Sequence, residues 1–309
     1  MGFQKIFPEI LEKSYKNIKD VSTKNIPIVY KKSKIFGSKI IALPFIDTIN
    51  TQNISKKDLP KEGLIEIKIS EFNPNLLNLK KKLLQYGFKE NYVKGHLISP
   101  LTNETDYWKR FHKHTRNDIR KAEKSGLIIK KIDSKIELEK FYKLYFKQMK
   151  NFGTPQHSFK FFKNCFEMMD KDFFGLNCYK GKKLIGSIIL FVEKEYVYVS
   201  FNVSNEKFRN FRPNDFLYWV SLKWAMGKGE KLFDVGQIDF NPEKGSRAES
   251  LLKFKKKWLG KEYKKISFTK NFKYESFKKK DLDKFRKIWR LLPDFIIKLI
   301  GPKICSQLG

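Results

Sequence analysis

KLFDVGQIDFNPEKGSRAESLLKFKKKWLG, residues 231–260, changes character twice within thirty positions. Leu232 to Val235, closed by Gly236, is a short apolar run that predicts a strand. Asn241, Pro242 and Gly245 then mark a polar loop. Ser250 to Trp258 predicts a basic helix carrying Phe254-Lys255. A strand end, a loop and a lysine on an anchored helix are parts that an acyl-transfer site needs, because the lysine can hold an oxyanion while the loop admits substrate. The same residues also read as an ordinary strand–loop–helix connection with a solvated lysine run. Pattern alone leaves both readings open.

Outward from this stretch, the chain has 309 residues, enough for two domains or one large one. Its 41% hydrophobic content, with 29 Phe, supplies a core. No run reaches the roughly 18 uncharged residues of a membrane span. Met-Gly-Phe-Gln-Lys-Ile at the start carries neither an apolar signal core nor a myristoylation site. Cys165, Cys178 and Cys305 are odd in number and widely spaced, which reads as a reduced, cytoplasmic protein without a metal site. The net charge of +32 suggests an anionic partner, nucleic acid or membrane. Only eight of the 65 basic residues are Arg, however, and a lysine excess with abundant Ile, Asn and Phe is also what an AT-rich genome produces.

The flanks alternate between strand and helix signals. A helix is expected over 8–18, a hairpin from Ile28–Tyr30 and Lys39–Leu43, and a strand at Leu64–Ile69. A helix from Asn73-Pro74 to Gly87 and a strand at Phe88–Leu97 follow. Tyr107 to Lys124 reads as one two-faced helix, with Trp108, Phe111, Thr115, Ile119 and Ala122 inward. Lys109, Lys113, Arg116, Arg120 and Lys124 share another face. That face is either solvated or a phosphate-binding stripe for tRNA, a nucleotide sugar or a CoA-like donor. His112 and His114, two apart, point away from each other on such a helix.

Ser134 and Glu137 form a capping box for the next helix, another helix starts at Ser158, and strands are expected at Phe173–Tyr179, Leu184–Val192 and Tyr196–Val203. A helix over Asn214–Met226 and a strand over Tyr263–Phe268 bracket the opening stretch. Acetyl-CoA enzymes cradle pyrophosphate with a Gly-rich turn before a helix. The corresponding turn here, Glu206-Lys-Phe-Arg-Asn-Phe-Arg-Pro213, has no glycine, which leaves Arg209 and Arg212 to bind phosphate by side chain.

Three blocks in order resemble the Fem-type peptidyltransferases and their GNAT-fold acyltransferase relatives. They are the FD-x-G…FK-x-x-W-x-G pattern of 233–260, the HTRNDIRKAEKSG run of 114–126, and a tail. The tail, Phe285-Arg-Lys-Ile-Trp-Arg-Leu-Leu-Pro293 with Ile300-Gly-Pro302, is similar to the exopolysaccharide-associated branch. The resemblance spans roughly residues 28–309 and implies an α+β (mixed α/β) fold of two GNAT-like halves. Residues 1–105 would form a reduced first half, 106–270 the complete acyltransferase domain, and 271–309 an amphipathic helical tail.

The resemblance further implies transfer of an aminoacyl or acyl group to an amine of a cell-envelope or surface-glycan precursor. No tightly bound cofactor is implied; the donor would be aminoacyl-tRNA or acyl-CoA and the acceptor a lipid- or nucleotide-linked glycan. Lys255 would hold the oxyanion, Phe254 would shape the acceptor channel, and Arg116, Arg120 and Lys121 would hold phosphates. Asp234 is a candidate general base or a buried structural acid. Gln237 stands where the family often has Arg, and Ile46–Gln52 where it usually has a Gly-Gly loop. Lys255→Met should then lower turnover, with Lys256 and Lys257 tolerating the same change.

Two other readings stay open: a basic non-enzymatic module that binds RNA or an anionic membrane, and a conventional acyl-CoA N-acyltransferase. The tail, split at Pro293, either packs as a final helix pair or lies on the inner face of the cell membrane. In the second case Phe285, Ile288, Trp289, Leu292, Phe295, Ile296, Leu299 and Ile300 would enter lipid beside Arg286, Lys287, Arg290 and Lys298.

Overall fold

A computed structural model describes residues 2–33, 37–42, 53–60, 63–271 and 279–308. Phe36 and Leu43 of the expected hairpin and the Ile46–Gln52 segment lie outside those residues. The fold is mixed α/β, as the sequence implies, and divides into two discontinuous units. One takes Met1–Phe3, Gly95–Gln148 and Met169–Glu262; the other takes Gln4–Lys94, Met149–Met168 and Tyr263–Gly309. This differs from consecutive segments 1–105, 106–270 and 271–309. Phe161 of the Phe159–Met168 helix packs on Phe7 and Tyr15, and the tail meets Lys150, Gln156 and Lys31, so contact does not follow chain order.

In the first unit the strands lie in the order Lys89–Pro100 (from Gly95), Leu232–Ile238, Tyr196–Ser204, Lys183–Glu193, Phe173–Lys180 and Leu127–Lys131. Neighbours are antiparallel except Tyr196–Ser204 with Leu232–Ile238, whose parallel pairing runs from Leu232↔Tyr196 to Asp234↔Tyr198. A parallel pair needs a crossover, and the Pro213–Gly227 helix supplies it. That helix is apolar on most sides and buries Leu217, Tyr218, Trp219, Leu222 and Ala225. The Leu127–Lys131 strand escapes sequence reading because its apolar run, Leu127-Ile128-Ile129, is only three residues long and leads into two lysines; Leu127 is its one buried residue.

The single helix expected from Tyr107 to Lys124 is two, Glu104–Arg110 and Lys113–Lys124. Phe111 and His112 are extended between them. The break lets the Phe111 ring reach Trp219 and Trp258, with centroids 5.6 and 5.7 Å away. Edge-on aromatic packing of this kind offsets interrupted backbone bonds. Arg116 Nη1 restores two of them by donating to the Phe111 and Lys109 carbonyls at 2.8 and 3.2 Å. The break also stacks the His112 and His114 rings, 5.0 Å apart, where an unbroken helix would separate them.

The second unit carries the strands Ile18–Asp20, Ile28–Lys31, Lys39–Ala42, Leu64–Ser70 and Lys261–Lys270 (from Tyr263). The expected hairpin pairs Ile28↔Ala42 through Lys31↔Lys39. The tail forms the helices Lys279–Leu291 and Asp294–Leu308, and both pack on this unit. Trp289, Ile297 and Cys305 are buried, Gln156 Nε2 donates to the Ile297 carbonyl at 3.0 Å, and Lys31 Nζ donates to the Gln307 carbonyl at 3.0 Å.

His157 lies beside the tail, 2.6 Å from the Tyr15 hydroxyl and 3.7 Å from Cys305 Sγ. Burial carries it from its ordinary value of 6.5 down to about 3. A lowered histidine pKa means that the unfolded chain takes up the proton first. The contribution of neutral His157 is therefore full above about pH 6.5 and is lost as pH falls toward 3. Between pH 7 and pH 5 stability is expected to fall by about 2 kcal/mol on this account. Denaturant unfolding as a function of pH checks it: His157→Gln, though less stable at neutral pH, should lose that acid slope.

Candidate active site

The Leu232–Ile238 strand is regular only as far as Asp234. Its partner register runs Asp234↔Ile98 and then Gly236↔Leu97, so Val235 is an inserted residue and the strand bulges. Gly236 follows at φ +95°, a backbone state that side-chain-bearing residues rarely adopt. The bulge presents the Gln237 carbonyl to the lysine helix, where Lys255 Nζ donates to it at 2.6 Å. A Cβ on Gly236 would sit 3.0 Å from that Nζ, a second reason for glycine here. Lys255 is 9% exposed, so its ammonium is largely removed from solvent beside a strand end.

Asp234 ties the bulge together from beneath. Gly236 N donates to its Oδ1 at 2.7 Å, while His96 Nδ1 and the Tyr196 hydroxyl donate to its Oδ2 at 2.7 and 3.0 Å. His96 and Asp234 are both buried. With three donors bound, this carboxylate is placed to fix the backbone that receives Lys255; of the two sequence readings, the structural acid describes its geometry. Its field also adds to burial in pushing the Tyr218 hydroxyl pKa upward. Sequence reasoning missed His96 and Tyr196, since each sits inside a strand and only sheet register brings it to Asp234.

The helix bearing Lys255 runs from Arg247 to Lys256, earlier than expected. Ser246 caps it by accepting from Glu249 N at 3.2 Å, and Glu249 Oε2 accepts from Gly245 N at 2.8 Å. Ser246-x-x-Glu249 is a capping signature that marks this start in the sequence. The far end is held by Trp258, fully buried and stacked on Tyr218 with centroids 5.1 Å apart. The Trp258 carbonyl accepts from the Tyr107 hydroxyl at 2.8 Å. Gly260 then passes so close to the neighbouring strand that a Cβ would lie 2.9 Å from Leu97 Cβ. These contacts give the FK-x-x-W-x-G pattern its physical content: Trp258 and Gly260 fix the helix, and Phe254, packed on Tyr218 at 5.2 Å, sets its rotation.

Lys257 is not a solvated neighbour of Lys255. Its Nζ meets Asp118 Oδ2 at 2.7 Å and also pairs with Asp215, while Arg212 Nε meets Asp118 Oδ1 at 3.1 Å. Burial raises the Asp215 pKa, and Lys257 pulls it back. The expectation that turnover tolerates Lys257→Met is thereby joined by a structural cost, because this ammonium is the shared partner of two carboxylates. Lys256 is exposed and pairs with Glu262 at 2.8 Å.

The remaining candidates divide by exposure. Arg116 is committed to the carbonyls at the helix break, and Arg212, left-handed at φ +58°, to Asp118. Arg120 is exposed with its guanidinium 5.6 Å from the Trp108 ring centre, and Lys121 and Arg209 are exposed as well. The glycine-free turn is a 3-10 helix, Glu206–Phe211. It feeds a helix whose first residue, Pro213, has no N–H and whose first turn carries Asp215. A backbone pyrophosphate cradle does not fit that construction. Among the described residues no three His, Cys, Asp or Glu come together as a metal site.

Residues 109–255 match the family described as an acetyltransferase (GNAT) domain. A segment of 79 residues is 33% identical to a lipid II:glycine glycyltransferase of Staphylococcus saprophyticus and 32% identical to one of Staphylococcus aureus. That segment is 26% of this chain and covers 19% and 18% of those proteins, so the chain matches about a fifth of their length. Among solved structures, FemX aligns over 86% of this chain and 90% of its own, with TM-score 0.65 and 16% identity. L-PGS from Bacillus licheniformis aligns over 97% and 93%, with TM-score 0.60 and 11% identity.

Proposed function

We propose an aminoacyltransferase, on the strength of the match to a GNAT acetyltransferase domain over residues 109–255 and a fold like that of FemX. It moves an aminoacyl group from the ester of a charged tRNA to an amine of a lipid-linked envelope glycan precursor, at the inner face of the cell membrane. The observation that carries this reading is the Lys255 ammonium, held at 2.6 Å by the Gln237 carbonyl on a glycine bulge. In ester aminolysis a neutral amine attacks the acyl carbon and forms the C–N bond, and the carbonyl oxygen becomes an oxyanion. The intermediate collapses with C–O cleavage, and the amine's proton leaves with the ribose hydroxyl. An ammonium fixed beforehand beside that oxygen stabilises the intermediate more than the substrate, which is what raises turnover.

Asp234, His96 and Tyr196 act through the bulge, and Phe254 shapes the acceptor side. For the donor, the proline and Asp215 at the start of the crossover helix disfavour a CoA pyrophosphate. The exposed Lys113, Arg120, Lys121 and Lys124 on one helix instead offer side-chain contacts to a phosphodiester backbone. The name of the similar glycyltransferases, which act on lipid II, supports the acceptor class.

The test offers the purified chain a lipid-linked muropeptide with a free amine, plus either charged tRNA or acetyl-CoA, and reads acceptor mass. Transfer with charged tRNA only is expected. Transfer with acetyl-CoA only would overturn the donor assignment. No transfer by folded protein that still binds tRNA with a steep salt dependence would favour the non-enzymatic basic module.

A further inference from the structure

The tail helices are seated on the second unit by contacts that leave little freedom. A Cβ on Gly153 would lie 2.5 Å from the Arg286 carbonyl oxygen, and one on Gly301 would lie 2.4 Å from Gln156 Oε1. Asp294 is paired with Lys150 at 2.6 Å. Yet the outward arcs of the same helices are apolar. Ile288 is 52% exposed, Leu291 84%, Phe295 71% and Leu299 65%, with Phe285 at the edge.

Large aliphatic and aromatic side chains rarely face water in such concentration without a partner. Here they recur at three- and four-residue steps on two helices joined by Leu292-Pro293, so each helix has one buried arc and one exposed apolar arc. Lys284, Lys287, Arg290, Lys298 and Lys303 are exposed among them. From residue 283 onward the acids are Asp283 and Asp294, each already ion-paired, with Arg286 and Lys150.

We propose that this outer face of the tail helix pair is a rigid docking platform for an anionic lipid surface. Phe285, Ile288, Leu291, Phe295 and Leu299 enter the headgroup boundary, and the flanking lysines and Arg290 meet lipid phosphates. The chemistry selects lipid: apolar groups and cations are interleaved, as an interfacial helix requires. A protein partner's apolar patch would gain nothing from the cations, and RNA nothing from Leu291 and Leu299. Among the described residues no helix is long and apolar enough to cross a membrane, so the platform lies on it. This deepens the membrane placement proposed above by naming the surface that makes it.

The experiment uses the full chain and vesicles that contain neither donor nor acceptor, so binding is read apart from catalysis. Wild type is expected to sediment with phosphatidylglycerol-containing vesicles and far less with phosphatidylcholine alone. A variant with Ile288, Leu291, Phe295 and Leu299 all changed to Ser keeps every charge and, because these side chains are exposed, its melting temperature. Its vesicle partitioning should fall at least tenfold. Equal partitioning of variant and wild type would overturn the platform and assign binding to the lysine charge at large. Self-association of wild type that the variant abolishes, without vesicle binding, would overturn it in favour of a second copy as the occupant. Vesicle binding by a wild-type chain that gives no acyl transfer in the separate donor and acceptor assay above would count against the proposed function alone.

Discussion

Lys255→Met is expected to lower turnover by about 10²–10³-fold, the usual loss on removing one oxyanion donor. KM should change little, because the ammonium contributes once negative charge has developed on the acyl oxygen. Methionine keeps the length and apolar stem of lysine, and the Gln237 carbonyl that loses its donor belongs to an exposed residue that water can reach. The fold should therefore persist, with an unfolding midpoint close to wild type. The control is Lys256→Met: that side chain is exposed and its pair with Glu262 at 2.8 Å is a surface pair of small worth. A turnover loss at 256 as large as at 255 would remove Lys255 from the chemistry.

The second large effect is on stability. Lys257→Met strands Asp118 and Asp215 in partly and largely buried positions without their common cation. Removing one partner from such a network costs about 3 kcal/mol. Denaturant unfolding should show it directly. Adding Asp215→Asn should return part of the loss, since the buried carboxylate is then neutral. Turnover per folded molecule should stay within a few-fold, which separates this lysine from Lys255 two positions earlier. An unchanged midpoint for Lys257→Met would mean that solvent screens the whole network.

Much of this site was legible from residue order, and the reasons are local. The FK-x-x-W-x-G spacing located the lysine helix because each of its marked residues answers to a short-range constraint: a ring against Tyr218, a close approach to Leu97, a carbonyl for Tyr107. The strands of the meander, Phe173–Lys180 through Tyr196–Ser204, were visible because their runs are long and apolar. What stayed hidden depends on register and packing. His96 reaches Asp234 across 138 residues, and Lys257 reaches Asp118 across 139. No periodicity encodes those distances. The break at Phe111 was hidden for a related reason: the stripe Trp108, Phe111, Thr115 has a helical period, and only the Trp219–Trp258 cluster overrides it. In the same way the tail's amphipathic pattern shows that one arc is buried, not which apolar residues remain outside.

The seat of the tail has a bearing on how the chain is made. Tyr15, Lys31 and His157 leave the ribosome long before Cys305 and Gln307, Lys31 preceding the carbonyl that receives it by 276 positions. Through most of synthesis that lysine, whose burial and neighbour Lys39 lower its pKa to about 7, has no Gln307 carbonyl to meet. The segments of the first unit end at Glu262, so all of them leave the ribosome while part of the second unit is still being translated. The second unit closes only when the final helix arrives. Stalled translation before that helix would thus yield a chain with its lysine site formed and its other half open to chaperones and proteases.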